Sequence, residues 1–305
     1  MSVRIRLAQS AEDLDAVFQL RHRVFSEQEG YIAACSDSRM VDRFDAFPTT
    51  GTVIAENAGH AVGTSRVTEY SSAGTSTDEW FDFTPHLPTG VRAGSASMLA
   101  VDRKLRDVPG LVFSMMAMLY SWAAGRGITV LTAATNPDVI DFATRHGWRP
   151  VGAQGFSADH GLPFVPMVLS FSDLPERFVH FQEKHEKSHL FDQFERGFYN
   201  PGERLFAAGD SADAAYIIID GEVSVVLPNG QTVNTLRSGD LVGELALINE
   251  SPRSATVVAS TELTVMVIDR GSFLKTMDND LPTARALMRI VARRVVGIVP
   301  QNSDG

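Results

Sequence analysis

The sequence has very little cysteine and no long hydrophobic run. Cys35 is the single cysteine among 305 residues, so the chain cannot form an intrachain disulfide or a zinc site built from several cysteines. The most apolar helix-like segment, residues 111–124, is too short to cross a bilayer. No segment has the pattern of a signal peptide. We therefore expect a cytoplasmic protein without a membrane span.

Basic residues are also in short supply. The chain has 27 Lys and Arg against 37 Asp and Glu, a net charge of −10, which argues against nucleic acid as a partner. The histidines His180, His185 and His189 lie in a helix-like segment, but their spacing brings them only approximately onto one face, so we do not predict a metal site there. The length predicts two domains, while the oligomeric state stays open.

The segment 243–256 places one acid and one arginine around a short apolar stretch that follows a glycine. Arg253 can clamp a cyclic phosphate through charge-assisted hydrogen bonds, and Glu244 can accept the proton of a ribose 2′-hydroxyl. A helical turn over 244–249 would add N–H groups for the anion. The predicted nucleotide-binding residues are Val242, Gly243, Glu244, Leu245, Ala246, Arg253, Ser254 and Ala255.

The surrounding sequence resembles the cyclic nucleotide-binding domain over roughly residues 190–296. Turn signals at 201–203, 209–210, 220–221 and 238–240 follow the order of that family's β-roll, and apolar runs predict strands at 216–219, 223–227 and 263–268. Apolar residues at helical spacing predict a terminal helix at 281–298. The resemblance implies a jelly-roll-like β-roll with terminal helices and an allosteric ligand, cAMP or cGMP. Ser254 does not decide whether the base is adenine or guanine, and we favour cAMP.

The first part of the chain alternates helix and strand patterns. Ser10 can cap a helix with Asp13 three residues later, and residues 110–125 form an apolar helix pattern between strands 95–101 and 128–133. Strands at 151–156 and 165–171 complete a mixed sheet with flanking helices. We expect an α+β protein with domains at 1–172 and 191–305 joined by a helical linker at 173–190.

The first domain resembles the GCN5-related N-acetyltransferase (GNAT) fold at residues 99–102, 110–124, 136–137 and 146–148. The resemblance implies that one strand pairs with a pantetheine arm and that a helix N-terminus holds pyrophosphate. Pro109 removes one N–H from that loop, and Ala143 stands where a general-acid tyrosine is usual. Acyl-CoA or acyl carrier protein would be the donor. The implied donor-binding residues are Leu99, Ala100, Val101, Arg106, Gly110 and Asn136.

The segments 21–25, 42–45 and 63–66 resemble acyl-homoserine-lactone synthases and N-acyl amino acid synthases. The resemblance implies that Arg21, Phe25 and Asp42 bind the acceptor. We expect catalytic roles for Asp45, Arg66 and Glu69, with Asp45 and Glu69 as candidate bases by position alone. Lactone formation is not expected, because Ser95 and Met98 occupy places where the lactone synthases carry an acid and an arginine.

Together these patterns predict an N-acyltransferase, regulated by a cyclic nucleotide, that acts on an amino acid-like amine. Two alternatives stay open. One is a cAMP-regulated protein-lysine acetyltransferase, and the other is a non-catalytic cyclic-nucleotide sensor with a degenerate acyltransferase fold.

Overall fold

The structure, a computed structural model, describes residues 3–108, 110–158, 160–174, 194–244, 251–282, 284–285 and 288–289. The chain divides into two units. The first unit is Arg6–Glu183, and the second consists of Met1–Ile5 and Lys184–Gly305. The opening strand β1 (Val3–Leu7) contributes its first three residues to the second unit.

The first unit is built on a sheet with strand order β2-β3-β4-β5-β8-β6. Its ladders are antiparallel except for the parallel pair β4–β5, and β7 pairs with β8. The strands are β2 (Thr50–Asn57), β3 (His60–Glu69), β4 (Arg92–Val101), β5 (Ile128–Thr135), β6 (Arg149–Pro150), β7 (Gly155–Ser157) and β8 (Leu162–Ser170).

The described residues of the first unit include three α-helices: α1 (Ala11–His22), α2 (Leu111–Gly125) and α3 (Ile140–Arg145). A capping box of Ser10 and Asp13 starts α1, as predicted. The chain then continues as a π-helical segment, Arg23–Gln28. Helix α2 packs closely on β2, where a Cβ on Gly51 would stand 2.5 Å from the Trp122 ring.

The parallel pair β4–β5 opens partway along its length. Its register ends at Ser95↔Thr132. Beyond that point β4 continues along β3 with a bulge, because Arg66 faces Ser97 whereas Thr64 already faces Ala100. At the bulge Met98 has φ 56°. We call the gap between residues 96–101 of β4 and 133–135 of β5 the strand split.

One predicted strand of the first unit is wrong. Residues 151–156 do not form one strand, because the ladder with β8 breaks into the short β6 and β7. The break falls opposite Val165–Pro166, and Pro166 has no N–H to donate to a neighbouring strand.

The second unit contains two sheets that enclose one apolar core. One sheet runs β14-β11-β16-β9, with residues Val3–Ile5 paired on β9, and the other runs β10-β15-β12-β13. Buried residues such as Tyr216, Val223 and Leu263 fill the core. The elements are β9 (Glu195–Tyr199), β10 (Arg204–Phe206), β11 (Ala214–Asp220), β12 (Glu222–Val226), β13 (Thr232–Arg237), β14 (Leu241–Val242), β15 (Thr256–Ala259), β16 (Leu263–Asp269) and the helix α4 (Arg270–Asn279).

This architecture confirms the predicted α+β class, with its β-rich C-terminal unit ending in a helix. The strand predictions at 216–219, 223–227 and 263–268 are confirmed by β11, β12 and β16. Most of the predicted linker helix and of the terminal helix at 281–298 lies outside the described residues. Among the described residues, no helix is both long and apolar enough to span a membrane.

Candidate functional site

Four predicted residues meet in a buried ion cluster on the α1 side of the first unit's sheet. Arg66 makes a bidentate pair with Asp42 at 2.6 and 2.7 Å and reaches Asp45 at 2.9 Å. Arg21 grips both oxygens of Asp45 at 2.8 and 2.9 Å. Both guanidinium groups are fully buried. Two arginines thus face two carboxylates, and the charges balance.

The same cluster makes Asp45 a poor proton acceptor. Burial would raise the pKa of Asp45, but the charges of Arg21 and Arg66 outweigh it and hold that pKa below its ordinary value. A carboxylate with a depressed pKa has little tendency to take a proton. The structure therefore does not support the base role predicted for Asp45, and the geometry points to a positioning role instead.

The other predicted residues of this region lie elsewhere. Glu69 is on β3 three positions after Arg66, so the period of two places it on the opposite face of the sheet, where it pairs with Arg92. The structure thus does not bring Glu69 to the ion cluster. Phe25 packs beside a buried apolar group that includes Leu20, Val24 and Ala100, which favours a core role over contact with an acceptor.

The predicted donor-binding residues border the strand split. Leu99 is exposed at the bulge, whereas Ala100 and Val101 are buried. Arg106 donates to the Val101 carbonyl at 3.2 Å and pairs with Glu29 at 2.7 Å.

Two further donor-side residues stand at element boundaries. Gly110, with φ 76°, caps α2. Asn136 follows β5, donates to the Tyr31 hydroxyl at 3.0 Å and accepts from the Asp138 N–H at 2.9 Å. The structure thus places Leu99–Val101 at the strand split, Asn136 directly after β5 and Gly110 at the start of α2.

Sequence reasoning missed a group of buried hydroxyls at the closed end of the split. The Thr77 hydroxyl lies 2.8 Å from that of Ser95 and 3.5 Å from that of Thr132. Tyr70 reaches Thr132 at 3.1 Å. The loop 71–78 has the composition of an ordinary surface loop, so no signal in the sequence marks Thr77 as buried.

In the second unit Arg253 is 6% exposed. Its guanidinium donates to the carbonyl oxygens of Ala214 at 2.6 Å and Gly243 at 3.3 Å. The ring of Phe206 lies 4.2 Å below it. Asp213 Oδ1 lies 3.6 Å from the Arg253 guanidinium, on a side chain that is 81% exposed.

This environment leaves the positive charge of Arg253 poorly neutralised. Main-chain carbonyls and ring faces solvate a cation without carrying a full negative charge, and the Arg253 Nε has no hydrogen-bond partner among the described residues. A buried charge without a matched counter-ion is costly. The site is therefore electrostatically complementary to an anion.

The remaining predicted nucleotide contacts surround Arg253 in part. Gly243, with φ 75°, and the half-buried Glu244 follow the buried Val242. Ser254 is exposed and Ala255 buried. Leu245 and Ala246 lie outside the described residues. Among those residues, no group of three or more His, Cys, Asp or Glu is placed to hold a metal ion.

The fold and these two sites define an acyltransferase-like unit joined in one chain to a cyclic nucleotide-binding domain. Residues 196–280 match the cyclic nucleotide-binding domain family, and residues 16–170 match the family described as N-acyl amino acid synthase FeeM. Since the second match covers half of the 305 residues, the chain belongs to the N-acyl amino acid synthase FeeM family. Both predicted resemblances are confirmed, while membership of the wider GNAT superfamily stays a prediction.

Several individual proteins are also similar. The cAMP-dependent protein kinase regulatory subunit of Eremothecium gossypii is 28% identical over 190 residues, 60% of this chain and 38% of that protein. The corresponding subunit of Yarrowia lipolytica is 32% identical over 169 residues, 54% of this chain and 42% of that protein. The chain thus spans less than half the length of these relatives. The solved structure of FeeM, an N-acyl amino acid synthase from uncultured soil microbes, is 18% identical with a TM-score of 0.49, covering 56% of this chain and 93% of that one.

Proposed function

We propose that this protein is an N-acyltransferase controlled by a cyclic nucleotide. It moves an acyl group from the thioester of acyl-CoA or acyl carrier protein to the amine of an amino acid-like acceptor. The observation that carries the proposal is the strand split between β4 and β5, where β4 has a main-chain bulge. Family membership supports the same reaction class.

The split supplies polarising groups for the thioester. Main-chain N–H and C=O groups of a strand point toward its two neighbours in turn. Beyond Ser95, β4 has β3 on one side, and β5 no longer follows it on the other. Main-chain N–H groups around Leu99–Val101 that face the split can donate to the thioester carbonyl and stabilise the oxyanion that forms during attack.

The ion cluster supports the acceptor side. Arg66 Nε lies 3.2 Å from the Ser97 hydroxyl on β4, so the cluster connects the interior of the unit to the wall of the split. Asp42 is the most exposed member, with 27% of its side chain accessible. We assign Asp42 the contact with the acceptor ammonium, and Arg21, Asp45 and Arg66 the task of holding Asp42 in place.

Control by the nucleotide follows from Arg253. Binding of cAMP or cGMP places a cyclic phosphate against a buried guanidinium whose ion pair among the described residues is with the exposed Asp213 at 3.6 Å. The ligand changes activity to the extent that it binds one state of the protein better than another. Glu244 serves the ribose hydroxyl, and Ser254 is the candidate for contact with the base or the phosphate.

The test is a product assay with the purified full chain. The protein is incubated with acyl-CoA or acyl carrier protein thioesters and a panel of amino acids, with or without cAMP or cGMP, and N-acyl amines are detected by mass spectrometry. We expect N-acyl amino acids whose rate of formation depends on nucleotide. Arg253→Ala should weaken nucleotide binding about 10-fold or more, as for roughly 1.5–3 kcal/mol from hydrogen bonds to a charged group, and should remove the dependence.

Other outcomes separate the alternatives. Nucleotide binding by calorimetry without any acylated product would identify a sensor without catalysis. Acetylated lysines in added proteins, without free N-acyl amines, would identify a protein acetyltransferase. Unchanged nucleotide affinity in Arg253→Ala would remove Arg253 from the site.

A further inference from the structure

A continuous line of hydrogen-bonded hydroxyls runs from the closed end of the strand split to a carboxylate on the surface. The Ser95 hydroxyl lies 2.8 Å from that of Thr77, which lies 3.1 Å from that of Thr75. Thr75 Oγ1 donates to Asp78 Oδ1 at 3.0 Å. The three hydroxyl residues are buried, whereas Asp78 is exposed. We call Ser95, Thr77, Thr75 and Asp78 the hydroxyl line.

The carboxylate gives this line a direction. An ionised carboxylate only accepts hydrogen bonds, and each hydroxyl has one proton to donate. Because Thr75 donates its hydroxyl proton to Asp78, it accepts a hydrogen bond from Thr77, and Thr77 in turn accepts one from Ser95. Ser95 therefore keeps lone pairs free to accept a proton at the inner end.

The inner end lies where the strands separate. Ser95 is the last β4 residue in register with β5, opposite Thr132. The following residues, 96–98 on β4 and 133–135 on β5, are half-buried and line the opening. Ser95 itself is fully buried, so the path proposed below includes one bridging water between the floor of the split and the Ser95 hydroxyl.

We propose that the hydroxyl line is the path by which the proton of the attacking amine leaves the site, a proposal that rests on the acyltransferase function above. The amine nitrogen bonds to the thioester carbon, the C–S bond breaks, and the thiolate takes a proton from solvent. One N–H proton of the amine enters the line at Ser95. Each hydroxyl passes its own proton outward until Asp78 is protonated, and Asp78 then releases it to water.

Three other acid–base groups of the first unit are poorly suited to this task. Asp45 is held in its ion pairs with Arg21 and Arg66. Glu69 pairs with Arg92 on the opposite face of the sheet from Arg66. Burial raises the pKa of Tyr70, so its phenol, 3.1 Å from the Thr132 hydroxyl, stays protonated and is not available as a base. The hydroxyl line ends instead on Asp78, an exposed carboxylate that can pass a proton to water.

Thr77 offers the sharpest test. Thr77→Val keeps the shape and removes the hydroxyl, whereas Thr77→Ser keeps the hydroxyl. A matched control is Thr264→Val, because Thr264 is also a buried threonine, on strand β16 of the second unit. We expect Thr77→Val to lower kcat about 100-fold, the smaller end of general acid–base contributions, with KM unchanged. Thr77→Ser and Thr264→Val should stay within about 3-fold of the parent protein on the same scale.

Asp78→Asn gives an independent measurement at an exposed position and serves where Thr77→Val does not fold. We expect it to lower kcat to a similar extent and to abolish the solvent deuterium isotope effect on kcat that arises from proton transfer along the hydroxyl line. Parent-like kcat in folded Thr77→Val or in Asp78→Asn would overturn the hydroxyl line while leaving the acyltransferase function intact. Absence of product from the parent protein itself would instead refute the proposed function.

Discussion

The surroundings of three buried arginines distinguish a charge that is neutralised within the protein from one that is available to bind a ligand. Arg21 and Arg66 face Asp42 and Asp45, so their charge is neutralised within the protein. Arg253 has carbonyl oxygens, an aromatic ring and one exposed carboxylate at 3.6 Å around it. The first two hold a fold together, and the third is poised for an anion.

Gly243 provides a test at this scale. A Cβ at this position would stand 2.7 Å from Arg253 Nη1, so Gly243→Ala should displace the guanidinium. Both Gly243 (φ 75°) and Gly230 (φ 84°) are left-handed, but nothing lies within 4 Å of a Cβ on Gly230. Each alanine costs about 1–2 kcal/mol of strain. We expect Gly243→Ala, compared with Gly230→Ala, to lose at least a further factor of about 10 in cAMP affinity by calorimetry, a difference of roughly 1.4 kcal/mol. Equal affinities would show that the Arg253 position does not matter for binding.

At the scale of elements, the start of α1 depends on one carboxylate with several partners. Asp13 accepts from the main chain of Gln9 and Ser10 and forms a bidentate pair with Arg6 at 2.6 and 2.7 Å. The Arg6 hydrogen bonds outweigh burial and hold the pKa of Asp13 well below its ordinary value. A folded-state pKa that is depressed contributes stability above the unfolded value, about 3.9, and the contribution is lost as the pH falls.

Asp13→Asn should therefore destabilise the first unit at neutral pH. We expect a loss of about 1–2 kcal/mol from the cap and the charged hydrogen bonds, seen as a melting temperature lower by roughly 2–8 °C. The difference from the parent protein should shrink as the pH falls from 7 to 3. Asp141→Asn, the same change at an exposed aspartate in the first turn of α3, is the control. A difference that stays constant with pH would contradict the role of the Asp13 charge.

Strand β4 shows which features of an element the sequence pattern predicts and which it does not. Its alternation predicts a strand at 95–101, and the structure has one at 92–101. The bulge at Met98 and the separation from β5 after Ser95 leave no periodic signature, because both arise from the partners of β4 rather than from its own residues. The broken strand at 151–156 failed for a related reason, since the interruption comes from a proline on the neighbouring strand.

For the whole molecule, regulation requires reciprocal coupling between the two ligands. If the nucleotide raises the affinity for the acyl donor by some factor, the donor must raise the affinity for the nucleotide by the same factor, typically about 5–150-fold. We expect calorimetry to give equal factors for cAMP measured with and without a non-hydrolysable acyl-CoA analogue, and for the analogue with and without cAMP. Arg253→Ala should reduce the coupling to one. A factor of one in the intact protein would contradict regulation through affinity.

The sequence alone established the two families, most helices and strands, and the residue types of the nucleotide site, because turn glycines, caps and period-two strands are local features. It also suggested that Arg21, Asp42, Asp45 and Arg66 belong to one site. Their pairing into a neutral, buried cluster came from tertiary structure, since charge balance and burial depend on residues far apart in the chain. For the same reason the hydroxyl line became visible only once Thr77, in a loop of surface composition, was seen packed against Ser95.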